Sequence, residues 1–470
     1  MAKEGLTLLD AAEALSDRRV SSVELTRAAL DRIEREDRSI NSFIAVLPEY
    51  ALDRAAQADR ELSAGAVRGP LHGIPVAVKD LIHMRGIRTT GGARIYEDVP
   101  AAENAAVVEK LEAAGAVILG KLNLHELAYG VTSENPHYGS VHNPWNLGHS
   151  AGGSSGGSGA AVATGFAFAT LGTDTGGSIR IPASFCGVVG FKPTYGLVSR
   201  HGVQTLGFSL DHVGPLARTV RDTATVLTAI AGYDHRDPAS AKASVADYIP
   251  PEGCSIRGIR LGFPETWLSE HVDREVAEAV RSAVSRAASL EAEVISVNIP
   301  NLEAVNTVGQ VLLLAEAAAL LERFLDRRER FGPDVLALLD QGRLLPATDY
   351  VNAQRLRRQF QSDFQALWNQ VDCIVTPATP VASPRLGQTT VRIEETEELV
   401  RPLATRFSRP MNVLGVPAIA MPCGLSGDGL PIGLQIAAPP FQEALVLRVA
   451  AALEDAGVGI PPQDKMQRAR

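Results

Sequence analysis

Cysteine is scarce in this sequence. Cys186, Cys254, Cys373 and Cys423 are scattered along 470 residues with no close pair. That spacing argues against a zinc site and against a disulfide framework, and it fits reduced thiols in a cytosolic protein. Cys186 has no histidine nearby in sequence, so buried packing suits it better than a role as thiol nucleophile. Positive charge is also short: 45 Lys and Arg against 54 Asp and Glu leave a net charge of −9, with no long basic run. Such a balance gives no nucleic-acid surface and serves solubility more than substrate choice. Long apolar runs are missing too. Val311 to Ala315 is broken by Glu316, well short of a membrane span. Met1-Ala2-Lys3-Glu4-Gly5 lacks the charged-then-apolar pattern of a signal peptide, so the cytoplasm is the expected compartment.

What is present is a soluble globular composition, 45% apolar and 21% charged. Residues 6–60 place Leu8, Ala12, Leu15, Val23, Leu25, Ala29 and Ile33 at helical spacing, which predicts an amphipathic covering layer. After Gly69-Pro70 the texture changes. Short apolar runs (74–78, 117–119, 167–171, 188–191) alternate with helical stretches such as 105–114, the pattern of a sheet layered between helices. Strand-like runs return at 259–263, 294–297, 373–375 and 432–436, with long helices predicted over 273–290 and 302–330. The Asp-, Pro- and Ser-rich stretch 234–256 reads as a surface connection. The expectation is one α/β domain over 1–470, with a helical cover (1–65), a core (66–230) and a remainder (231–470) completing sheet and pocket.

Two glycine-serine clusters carry the chemistry. They are Gly152-Gly153-Ser154-Ser155-Gly156-Gly157-Ser158-Gly159 and Thr173-Asp174-Thr175-Gly176-Gly177-Ser178. Upstream, Lys79 follows Gly73-Ile74-Pro75-Val76-Ala77-Val78. Backbone without Cβ atoms can approach a substrate and aim several N–H groups at one oxygen. A lysine in an apolar setting can lose its charge and act as a base. Ser178 is the candidate nucleophile, with the amides of Thr175, Gly176 and Gly177 as candidate oxyanion donors. Taken singly, each feature has a plainer reading: Ser178 as a helix cap, the first cluster as a linker, Lys79 as a snorkelling strand-end lysine.

The ordered blocks decide otherwise. Residues 73–80, 152–159 and 174–183, continued by Phe191-Lys192-Pro193-Thr194-Tyr195-Gly196, resemble the amidase signature family. The likeness is strong over 70–220 and returns near 371–440 in Asp372-Cys373-Ile374-Val375-Thr376-Pro377 and Pro431-Ile432-Gly433-Leu434-Gln435. It implies a mixed sheet of about eleven strands and a Lys79–Ser154–Ser178 triad, with Ser154 after a cis peptide as proton shuttle. Asp174 and Arg180 are expected to support the loop, and Tyr129 to lie beside the substrate. The implied reaction is hydrolysis of an amide, anilide, carbamate or urea-type bond through an acyl-enzyme. The expected partner is a small amide, without nucleic acid or membrane; pairing of two copies stays open.

Rivals fare worse. Gly148-His149-Ser150-Ala151-Gly152 matches the nucleophile elbow of an esterase, but no histidine follows His271, where such a chain places its base. No Gly-Lys-Ser/Thr closes the glycine-rich run, and His125-Glu126 lacks a second histidine at helical spacing, so neither phosphate loop, cofactor nor metal is expected. The nearest alternative is the glutamine-hydrolysing subunit of an aminoacyl-tRNA amidotransferase, which shares the same blocks. There an arginine and an aspartate hold the glutamine substrate. Arg357 takes the arginine position; the aspartate falls near Thr405, and no acid occurs from Leu399 through Gly427, although Arg401, Arg406 and Arg409 do. The reading predicts weak glutamine hydrolysis and no need of partner subunits.

Overall fold

The computed structural model describes residues 6–96, 99–270, 272–299 and 301–459. The first five residues, weighed above as a signal peptide, lie outside them. Eight strands fall in the first part: β1 (Phe43–Val46), β2 (Pro75–Lys79), β3 (Val117–Leu122), β4 (His142–Asn143), β5 (Asn146–Ser150), β6 (Ala169–Asp174), β7 (Val189–Lys192) and β8 (His212–Ala217). Seven follow: β9 (Arg260–Phe263), β10 (Glu293–Ser296), β11 (Cys373–Pro377), β12 (Thr390–Ile393), β13 (Thr396–Leu399), β14 (Ala418–Leu425) and β15 (Pro431–Ala437). Eleven of them form one sheet in the order β1-β3-β2-β6-β8-β7-β14-β15-β11-β9-β10. The pairs β2–β3, β2–β6, β9–β10 and β9–β11 are parallel, while β6–β8 and β14–β15 are antiparallel. The sheet is therefore mixed, and the whole is a single α/β domain.

Strand side chains alternate between faces, and both faces are buried here. In β2, Val76 and Val78 enter one hydrophobic core and Ala77 the other. In β14, Ile419 and Met421 join the first core and Ala420 the second. A sheet covered on both sides reads as continuous apolar runs, which is why β2 stood out in the sequence.

The expected cover is present with one change. Helices span Leu8–Ser16, Ser22–Ile40 and Pro48–Ser63. The first two are opened by capping boxes, Thr7 with Asp10 and Ser21 with Glu24. Between the second and third lies β1, an edge strand antiparallel to β3, inside a stretch expected to be wholly helical. Asn41, in the left-handed region at φ 61°, ends the helix and turns the chain into this strand.

The apolar stretch around residue 311 belongs to the long helix predicted over 302–330. Leu302–Leu321 continues in a 3-10 segment to Arg330, long and apolar enough by composition to cross a membrane. Half of its most apolar stretch is buried inside the protein, against helices Pro333–Arg343, Ala347–Trp368 and Arg409–Leu414. Glu316, the residue that breaks the run, is buried and accepts from the Ser209 amide and hydroxyl at 2.9 and 2.6 Å.

Candidate active site

Lys79 ends β2 and Asp174 ends the parallel neighbour β6. Their chemistry thus meets outside the carboxyl ends of two strands, where open α/β sheets bind ligands. Lys79 is fully buried, and its Nζ lies 2.8 Å from Ser154 Oγ, 2.9 Å from Ser155 Oγ and 2.8 Å from Thr173 Oγ1. Burial pushes the Lys79 amine down to about 7, against the pull of Asp174 and Asp211. This is not a snorkelling lysine.

The first glycine cluster is no linker either. A Cβ on Gly157 would stand 2.4 Å from the Asn123 carbonyl oxygen and 2.5 Å from that of Ser42. Only glycine lets the helix Gly156–Ala163 settle there, and that helix fixes Ser154 and Ser155 just ahead of it. The peptide bond between Gly153 and Ser154 is cis.

Ser178 lies beyond β6, mostly buried, and lines a pocket of about 790 Å³ together with Thr175, Gly176 and Tyr129, a volume suited to a small molecule. Its backbone carbonyl accepts from the Ser155 amide at 3.1 Å, which ties the two glycine-serine clusters together. Among the described residues, the Ser178 hydroxyl has no hydrogen-bond partner; Ser154 Oγ is held by Lys79, not by Ser178.

The three expected oxyanion donors do not stand alike. The Gly177 amide donates to Asp174 Oδ1 at 2.7 Å, so in this arrangement it is taken. What the fold requires of Gly177 is its conformation, φ 129°, and space, since a Cβ would meet Ser408 Oγ at 2.2 Å. Thr175 is anchored by its hydroxyl, which donates to the buried Asp211 at 2.6 Å.

Asp174 and Arg180 are both fully buried and paired. Arg180 Nε and Nη2 donate to the two carboxylate oxygens at 3.0 and 2.8 Å. The rest of the guanidinium reaches the Ser408 carbonyl, Gln435 Oε1 and Asn412 Oδ1 at 2.8, 2.7 and 2.6 Å. Burial alone would raise the Asp174 carboxyl; Arg180, Lys192 and Asn412 outweigh it and hold the group well below the usual carboxylate range.

Tyr129 lines the pocket, its hydroxyl buried and, among the described residues, without a partner. Arg401 lies over its ring at 5.8 Å and donates to its carbonyl at 3.0 Å. One expectation fails here. Arg357, placed at the glutamine-clamp position, does not line the pocket; it donates to the Val413 carbonyl and to Ser209 at 2.7, 3.1 and 3.0 Å. The stretch 399–427 brings no acid to the pocket, but Glu134 and Asp334 enter it from other elements. Asp334 accepts from His125 Nε2 at 2.9 Å and lies 3.5 Å from Arg401. Sequence reasoning missed Ser155 and Thr173 as partners of Lys79, although both stand inside the quoted blocks. It missed Asp334 altogether, since no motif surrounds it.

The esterase elbow is excluded by geometry. Ser150 ends β5 in a two-stranded hairpin, and its hydroxyl donates to the Thr132 carbonyl at 2.8 Å.

The Amidase family model matches residues 24–447 of this chain. The chain belongs to that family. Among curated relatives, a glutamyl-tRNA(Gln) amidotransferase subunit of Geobacter sp. (strain M21) is 41% identical, over 96% of either chain. Among solved structures, a chain of a vestigial protein complex that reveals the evolutionary origins of an s-triazine catabolic enzyme superposes with a TM-score of 0.93 at 36% identity, covering 97% of this chain and 99% of that one. The glutamyl-tRNA(Gln) amidotransferase subunit of Thermotoga maritima gives a TM-score of 0.80 at 33% identity, over 98% of each chain. As an Amidase family member the chain is a C–N bond hydrolase. The curated relative's name sides with the amidotransferase alternative more than with a stand-alone amidase. It also runs against the expectation of a chain without nucleic acid or partner subunits.

Proposed function

We propose that this amidase hydrolyses a small carboxylic amide through an acyl-enzyme on Ser178, with Lys79 as base and Ser154 as relay. The carrying observation is Lys79 Nζ, fully buried and 2.8 Å from Ser154 Oγ, with the neighbouring Ser155 amide bonded to the carbonyl of the pocket-lining Ser178 at 3.1 Å. Ser178 Oγ attacks the amide carbon as its proton moves to Ser154 and the proton of Ser154 moves to neutral Lys79. The oxyanion faces the amides that remain near Ser178, chiefly those of Thr175 and Gly176. The C–N bond breaks as Lys79, through Ser154, protonates the departing nitrogen, releasing ammonia or an amine. Water then attacks the ester carbon under the same base, giving the carboxylate and free Ser178.

A fluorophosphonate should label Ser178, and Ser178→Ala should fold normally without turnover. Activity retained in that variant, or labelling at Ser150, defeats the assignment.

A second reading has its own support. The relatives' name favours a glutamine-hydrolysing subunit that passes ammonia to glutamyl-tRNA within an assembly. Against it stand the engagement of Arg357 away from the pocket and the prior commitments of Asp334. Glutamine carries an ammonium that must be paired once desolvated. We take the small-molecule reaction as the main reading, and glutamine assays with and without partner subunits as the discriminating measurement.

A further inference from the structure

Arg409 begins the helix Arg409–Leu414 and is only 8% exposed. Arg409 lines the same pocket as Ser178. Among the described residues it has neither a hydrogen bond nor an ion pair from its side chain, and its buried Nε is without a partner. Other buried cations of this protein are satisfied. Arg180 has Asp174, Lys121 has Asp80 at 3.0 Å, and Lys192 donates to two backbone carbonyls at 2.9 and 2.6 Å. The charged and titratable groups acting on Arg409 are Arg401 and Tyr129; burial first, then Arg401, pushes it down to about 10. A buried guanidinium without a counter-charge is strongly unfavourable, and this one opens onto the pocket where substrate must sit.

We propose that Arg409, with Arg401 beside it, receives a carboxylate carried by the acyl half of the substrate, so that the preferred substrates are short dicarboxylic half-amides. This rests on the amide-hydrolase reading above. Arg409 Nε lies 3.5 Å from where a Cβ on Gly176 would stand. Gly176 is two residues before Ser178, so the anion site and the attacked carbonyl are within reach of one short acyl chain. A guanidinium fork matches a carboxylate in two hydrogen bonds. Among the described residues, the two pocket acids are already engaged: Glu134 accepts from the Gly387 amide at 3.0 Å, and Asp334 from His125. Among the described residues, a substrate bearing an extra ammonium finds no free acid comparable to the free Arg409. Glutamine should therefore be a poorer substrate than glutaramate.

The test uses the full chain and compares kcat/KM for succinamate and glutaramate with that for neutral isosteres in which an isopropyl group replaces the carboxylate. The half-amides should be favoured about 100-fold, the loss typical when one side of a buried charged pair is removed. Arg409→Met should bring that ratio close to one, and Arg409→Lys should keep part of it. Succinate should protect Ser178 from a neutral fluorophosphonate in the wild type and not in Arg409→Met. If Arg409→Met does not fold, the substrate panel, the protection assay and Arg409→Lys still decide. Equal turnover of charged and neutral amides, no protection by succinate, or glutamine preferred to glutaramate by tenfold or more overturns the proposal. An enzyme labelled at Ser178 yet blind to substrate charge defeats this inference alone. No labelling and no amide turnover at all defeats the amide-hydrolase reading with it.

Discussion

Lys79 must be neutral to accept a proton, and its surroundings arrange that by burial and by three hydroxyl oxygens instead of a carboxylate. With the amine pushed down to about 7, the neutral fraction grows as pH rises through that value. kcat/KM on an amide should therefore fall about tenfold per unit below pH ~7 and level off above it. A flat profile across that range would remove Lys79 from the proton path. Lys79→Ala should lose ~10²–10⁴ in rate on amides, and less on esters, whose leaving group needs less protonation. Equal losses on both, with a lowered Tm, would mark a purely structural lysine. Among the described residues, the buried hydroxyl of Tyr129 has no partner. Tyr129→Phe should lower kcat/KM by no more than about tenfold, one neutral hydrogen bond, measured on the best amide of the panel. A loss of several orders would give it a chemical role instead.

At the scale of elements, β6 and the short helix Arg180–Cys186 are held together by one polar network. Asp174 fixes the amides of Gly177 and Ile179 at 2.7 and 3.1 Å, and Arg180 carries that order to Gln435 on β15 and Asn412 on the helix beginning at Arg409. Arg180→Met would leave the Asp174 carboxylate buried and unpaired, a loss of ~3–5 kcal/mol that thermal unfolding would register. An unchanged Tm would show that the pair is dispensable. Because Asp174 is held well below the ~3.9 of a free carboxyl, its contribution is present above that pH and is lost as pH falls further.

The same network explains what was legible. The distant Pro431-Ile432-Gly433-Leu434-Gln435 block belongs with the signature core because Gln435 touches Arg180. Strands buried on both faces announced themselves as apolar runs. β8 and β14 did not, because Gly214, Pro215, Pro422 and Gly424 interrupt them; at β14 the register shifts between Pro422 and Gly424, the kind of irregularity that admits a proline. β1 was hidden by its four-residue length between two helices. Asp334 was illegible for another reason: its place in the pocket depends on how a helix far along the chain packs, and nothing local encodes that.

For the whole molecule, charge and pocket size bear on what the chain can handle unaided. A net charge of −9 repels a phosphate backbone, whose capture relies on Lys and Arg displacing counterions. A pocket of about 790 Å³ accommodates a small amide. Any tRNA-linked activity would then need partner subunits to supply the basic surface. The expected outcome is that the purified chain alone turns over half-amides with a rate that hardly changes between 50 and 200 mM salt, roughly the range over which phosphate contacts weaken steeply. Free glutamine should be hydrolysed slowly, because its ammonium would have to compete for an Asp334 already shared by His125 and Arg401. Adding amidotransferase partner subunits and glutamyl-tRNA, to which the relatives' name points, is the measurement that separates the two readings. If glutamine hydrolysis rises tenfold or more on that addition, with amidated product, the amidotransferase reading replaces the small-molecule one. The family chemistry at Ser178 would then stand while the destination of the released ammonia changes.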